Sequence, residues 1–77
     1  MRIISQNLVD FPYEQISVAV DDNRVICRPV NDMGGRYYAL GIYRDCKRAK
    51  EVFFEIIKHF ENIVNRGSYE SFCMPEE

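Results

Sequence analysis

The stretch Cys46-Lys47-Arg48-Ala49-Lys50-Glu51-Val52-Phe53-Phe54-Glu55-Ile56-Ile57-Lys58-His59-Phe60-Glu61-Asn62-Ile63-Val64-Asn65-Arg66 decides the fold. Ala49, Val52, Phe53, Ile56, Ile57, Phe60, Ile63 and Val64 recur at steps of three or one. That spacing draws a single stripe along a 3.6-residue helix. Lys47, Lys50, Glu51, Glu55, Lys58, Glu61 and Asn62 fall on the other face. Asp45 can cap the helix start by accepting backbone N–H bonds, and Gly67 stands where a left-handed stop residue belongs. Such a helix is roughly 30 Å long at ~1.5 Å per residue. Burying its eight apolar side chains contributes roughly 12–20 kcal/mol before entropy opposes it. Only a sheet of comparable length can cover that stripe. Phe54 lies off the stripe and is expected to be exposed or to touch another chain.

Upstream, the pattern changes to period two. From Glu14 to Asp21, Ile16, Val18 and Val20 alternate with Gln15, Ser17 and Ala19, as a strand with one buried face requires. Asp22-Asn23 suits a tight turn. Arg24 to Val30 then returns as a second strand, with Val20 opposite Val25 and Val18 opposite Cys27. Pro29 cannot donate to a ladder, so it belongs at a strand end or an edge. Asn31-Asp32-Met33-Gly34-Gly35 reads as another turn, and Arg36 to Tyr43 as a third strand with Tyr38, Leu40 and Ile42 on one face. Residues 2–5 add a short strand, residues 7–12 a connection or irregular edge, and Tyr69, Phe72 and Met74 mark a final short strand. The expected fold is α+β: an antiparallel sheet of three to five strands, packed on one face by a single helix over about 46–66.

Seventy-seven residues make one domain, residues 1–77, with an ordinary globular balance of 47% hydrophobic and 29% charged residues. No uncharged apolar run is long enough to cross a membrane, and Met1-Arg2-Ile3-Ile4-Ser5-Gln6 lacks the apolar core of a secretory signal. The expected compartment is the cytoplasm. Cys27, Cys46 and Cys73 form no C-x-x-C pair and no even set, so neither a disulfide framework nor a zinc site is expected. A domain this small without a staple or a metal gains from a partner, which makes self-association the first functional expectation.

Met1-Arg2-Ile3-Ile4-Ser5-Gln6, Asp10-Phe11-Pro12-Tyr13-Glu14, Leu40-Gly41-Ile42-Tyr43, Ala49-Lys50-Glu51-Val52-Phe53 and Met74-Pro75-Glu76 occur here in combination. Together they resemble a family of small uncharacterised proteins of Gram-positive bacteria and their phages and mobile elements, nearly end to end. The resemblance implies a bacterial or phage setting and no catalytic residues. The family usually places a Ser or Thr with acidic residues at the helix start. Arg44-Asp45-Cys46-Lys47-Arg48 departs from that and sets basic residues at the positive end of the helix dipole.

Candidate chemistry is sparse, and no enzyme activity or cofactor is expected. His59 is the only histidine, expected to be solvated on the polar helical face. Cys46 lies near a helix start beside Lys47 and Arg48, where a thiol can become reactive, yet an ordinary first-turn residue is the simpler reading. Cys46 and His59 are too far apart along one helix to act together. Glu51 and Glu55 lie on the outer helix face rather than in a cleft. Asp21-Asp22 lacks the spacing of a calcium loop, and Gly34-Gly35 is flanked by strands, so it reads as a turn and not a phosphate loop.

Two surfaces remain. The sheet face away from the helix would present Ala19, Ile26, Val30, Tyr37, Ala39 and Tyr43, more apolar than a solvated face requires. That face, or a sheet edge, is the expected contact with a second copy as a homodimer or with another protein. Residues 24–50 also carry a local excess of positive charge. Arg24, Arg28, Arg36, Tyr37 and Arg48 could contact single-stranded nucleic acid, although a sequence pI near 5.4 is unlike a dedicated binder.

Overall fold

A computed structural model describes residues 1–31, 34–66 and 71–77. The strands are β1 (Arg2–Ile4), β2 (Asp10–Pro12), β3 (Ile16–Asp21), β4 (Arg24–Pro29), β5 (Tyr38–Ile42) and β6 (Ser71–Cys73); the helix α1 spans Cys46–Arg66. A single turn of 3-10 helix, Tyr13–Gln15, joins β2 to β3. The fold is α+β, as the two periodicities require. Its strands divide into two three-stranded sheets, ordered β2-β1-β6 and β3-β4-β5. β1 pairs antiparallel with β2 and parallel with β6. The end of the chain therefore returns to lie beside its beginning.

The β3–β4 hairpin has the register expected from a two-residue turn: Val20 faces Val25 and Val18 faces Cys27. Asp22 supplies the positive φ that the turn needs, at 57°. Asn23 ties this turn to the end of β5, its side-chain amide donating to the Tyr43 carbonyl (2.8 Å) and its own carbonyl accepting from the Tyr43 N–H (2.8 Å). The core joins both sheets and the helix through Ile3, Val25, Cys27, Leu40, Tyr43, Ala49, Val52, Ile56 and Met74, with Ile16, Val18 and Val20 packed against them. At the helix start the Asp45 carboxylate accepts from the Arg48 N–H at 2.8 Å. That cap offsets the basic residues around it.

The third strand departs from its expected form. β5 is shorter than residues 36–43, and its pairing with β4 slips at Val25/Ile26, where Val25 faces Gly41 while Ile26 faces Ala39. Leu40 is the extra residue of a β-bulge. It is fully buried; Tyr38, opposite buried Cys27, keeps to the same side yet is exposed, whereas Ile42, opposite Arg24, turns to the other face. The slip also turns Tyr43 inward. On the helix, Ala49, Val52, Ile56 and Ile63 form the buried line, whereas Val64 is 61% exposed and lies to one side of it. Phe54 is 64% exposed, as its position off the stripe implies. Gly67, Tyr69, Asp32 and Met33, named in the sequence reading, lie outside the described residues.

Candidate functional site, an open strand edge beside an apolar helix flank

The proposed open face does not survive intact. Of its six residues, Ala19, Val30, Tyr37 and Ala39 are exposed, but Ile26 is 6% exposed and Tyr43 is 4% exposed. Ile26 lies between Arg24 and Arg28 on the outer side of β4. Tyr37 bridges those two arginines, its ring centroid 5.9 Å from each guanidinium carbon. Tyr43 belongs to the opposite side of the sheet. Its hydroxyl donates to the Pro75 carbonyl at 3.0 Å, and its ring lies under Arg48. Burial pushes its phenol pKa up, and the Arg48 guanidinium partly offsets that.

The five nucleic-acid candidates are likewise divided. Arg24, Arg28 and Tyr37 form one cluster, with exposed Arg36 next to Tyr37 in the chain. Arg24 is already engaged by Asp21 at 2.6 Å. Arg48 is elsewhere, donating to the Glu77 backbone oxygen at 2.9 and 3.1 Å and pairing with Glu51 at 3.4 Å. His59 is half-buried, not solvated, with its ring edge-on to Phe72 at 5.4 Å. Cys46 is half-buried and thirteen residues from His59 in the chain, about 20 Å of helix rise. Among the described residues, no group of three or more His, Cys, Asp or Glu side chains could hold a metal ion. No described helix is long and apolar enough to cross a membrane.

The two outer edges of the β3-β4-β5 sheet differ. At β5, the Gln6 N–H donates to the Leu40 carbonyl (2.8 Å) and its side-chain oxygen accepts from the Ile42 N–H (2.9 Å). The same side chain donates to the carbonyls of Pro75 (2.9 Å) and Glu76 (3.1 Å). Gln6, Tyr43 and Arg48 thus clamp the C-terminal residues along this side. At β3 the situation is the reverse. The Val30 N–H donates to the Gln15 carbonyl, and Pro29 opposite Ile16 has no N–H to give. Odd-numbered β3 residues therefore bond to β4, and the backbone groups of Ile16, Val18 and Val20 point out of the sheet; of these the Ile16 N–H is taken by the Tyr13 carbonyl of the preceding 3-10 turn. Among the described residues, no strand pairs with that edge.

The helix continues this edge. α1 packs on both β3 and β4. At ~100° per residue, Arg48, Glu55 and His59 project to the side of β6 and the C-terminal residues, consistent with their contacts to Glu77 and Phe72. Phe60 leans the other way, onto Tyr13 just before β3 (4.7 Å). The residues beyond it on that side are Phe53, Ile57 and Val64, with Phe54, Lys50 and Glu61 further round. An unpaired strand edge and an apolar helix flank therefore adjoin. Sequence reasoning offered a sheet edge beside the broad face without saying which edge; hairpin parity with Pro29 was the available signal.

A second apolar feature lies at the far end of β1 and β2. Leu8 is 83% exposed at a positive φ of 64°, held by a turn in which its N–H donates to the Ser5 carbonyl at 2.9 Å. A shallow groove of about 600 Å³ next to it is lined by Asn7, Val9, Phe11, Pro29, Tyr38 and Ala39.

Comparison of the chain with family models, curated proteins and solved structures finds no match.

Proposed function

We propose that this protein is a small, cytoplasmic, non-enzymatic interaction module that self-associates through the outer edge of β3 and the adjoining flank of α1. The sequence resemblance supports a bacterial or phage setting for it. One observation carries the reading: a six-residue strand turns the backbone groups of Val18 and Val20 and the Ile16 carbonyl outward, with no strand paired to them among the described residues, beside exposed Phe54 and half-buried Phe53 and Ile57. Natural proteins blunt free edges with charge, proline or a bulge. The central β3 residues Ser17 to Val20 carry none of these. A strand edge of this kind pairs with another chain by main-chain hydrogen bonds, and flanking apolar side chains add affinity.

The alternative is contact with single-stranded nucleic acid through Arg24, Arg28, Arg36 and Tyr37. The stacking of both arginines on Tyr37 favours it, but it lacks Arg48 and shares Arg24 with Asp21. Light scattering after gel filtration, from micromolar to near-millimolar protein, is expected to give a concentration-dependent dimer. A monomer throughout would end the leading reading. An oligonucleotide added to the same samples at low salt leaves the elution unchanged if that reading is right; a salt-sensitive shift would favour the alternative.

A further inference from the structure

We infer that the partner at this site is a second copy of the chain, joined about a twofold axis through the middle of β3 so that the two helices pack against each other; this rests on the self-association proposed above. Two β3 strands paired edge to edge lie ~4.8 Å apart, and α1 sits above β3 and β4, so its axis is about 5 Å from the twofold axis. The two helix axes are then about 10 Å apart, within reach of the 8–10 Å at which helices pack. Ladder pairing and helix packing are thus satisfied together, which an isolated extended peptide at the edge would not achieve.

The ladder has a natural register. Pairing Val18 with Val18 of the second copy sets Ile16 opposite Val20, so the outward groups of Val18, the Val20 N–H and the Ile16 carbonyl find partners, while the Ile16 N–H stays with the Tyr13 carbonyl. The outer face of the joint is then Ser17 against Ala19, both small and both exposed, and nothing bulky obstructs approach. The helices run antiparallel across the axis.

Charge supports the same partner. Lys50, Phe54, Ile57 and Glu61 are spaced four, three and four residues apart, which places them on one side of the helix. Lys50 and Glu61 are exposed, and neither forms an ion pair among the described residues. In an antiparallel pair the Lys50 end of one flank meets the Glu61 end of the other, twice by symmetry, with Phe54 and Ile57 between. A flank that is positive at one end, negative at the other and apolar in the middle is complementary to itself reversed.

Charge exchange tests this arrangement. Lys50→Glu and Glu61→Lys are each expected to weaken dimerisation by about three- to tenfold, since each sets like charges opposite one another twice. The double variant, Lys50→Glu with Glu61→Lys, is expected to recover dimerisation to near the parent. Both sites are exposed, and circular dichroism at low concentration checks that each variant folds. If the parent dimerises but the single variants are unchanged, or the double variant fails to recover, the antiparallel helix pairing is wrong while self-association stands. If the parent is a monomer, both fall.

Discussion

The two long sides of α1 meet opposite fates. On one side Arg48 and His59 are covered by the chain's own C-terminal segment, and Gln6 occupies the edge of β5 with its backbone and its side chain. On the other side no strand among the described residues pairs with the edge of β3, and Phe54 stands in solvent. The closed side shows how much hydrogen bonding a chain of this size can commit to covering one edge. Among the described residues, no strand covers the open side in that way. An edge left open beside an apolar flank, in a molecule that seals the opposite edge, is the surface on which a partner gains most.

The strongest test of the closed side is Gly41→Ala. A Cβ at Gly41 would fall 2.6 Å from the Tyr43 hydroxyl oxygen and 2.9 Å from Cε2 and Cζ of the same ring. That ring is not free to move. Its hydroxyl is held by Pro75 and Arg48 lies over it. Overpacking of this kind costs about 1–3 kcal/mol, so urea unfolding should show a loss in that range with the m-value unchanged. Unchanged stability would mean that the Tyr43 ring swings aside easily and the C-terminal clamp is loose.

Gln6→Ala asks a related question with a smaller effect. It removes the side-chain bonds to Ile42, Pro75 and Glu76, of which several are near the surface. A loss of about 1–2 kcal/mol is expected. It also leaves the Ile42 N–H on the β5 edge without its side-chain acceptor, so light scattering should reveal species larger than the parent's at the same concentration. If assembly size does not change, Gln6 is a clamp on the C-terminal segment and not an edge guard.

The sequence makes the open side more legible than the closed one, for a physical reason. The helix, its Asp45 cap and the β3–β4 register follow from local periodicity and from a two-residue turn, and Phe54 stands out because it breaks the stripe. The closed side depends on contacts between distant residues. Gln6 reaches Glu76 seventy positions away, and a lone glutamine carries no periodic signal. The Leu40 bulge is hidden because Tyr38, Leu40 and Ile42 alternate as a regular strand would. Its slip is what sends Tyr43 inward and removes it from the expected contact face. Arg48 reads as part of a basic block by sequence proximity alone, yet the helix carries it to the side opposite β3.

The smallest expected effect on stability belongs to Phe54→Ser, and it is the sharpest on the comparison itself. Phe54 keeps 64% of its surface in solvent, and among the described residues its ring neighbour is Phe53 at 5.5 Å on the same helix. Removing it therefore takes little apolar surface out of the folded chain. At concentrations where the protein is monomeric, unfolding free energy should change by no more than about 0.5 kcal/mol. At high concentration the same substitution should weaken the dimer, because the flank loses its largest exposed aromatic. The two measurements diverge only if Phe54 serves contact between chains. A stability loss near 2 kcal/mol in the dilute monomer would mean that the chain already covers this residue and that the open side is closed as well; an unaltered dimer would move the interface off the helix and leave the β3 edge to act alone.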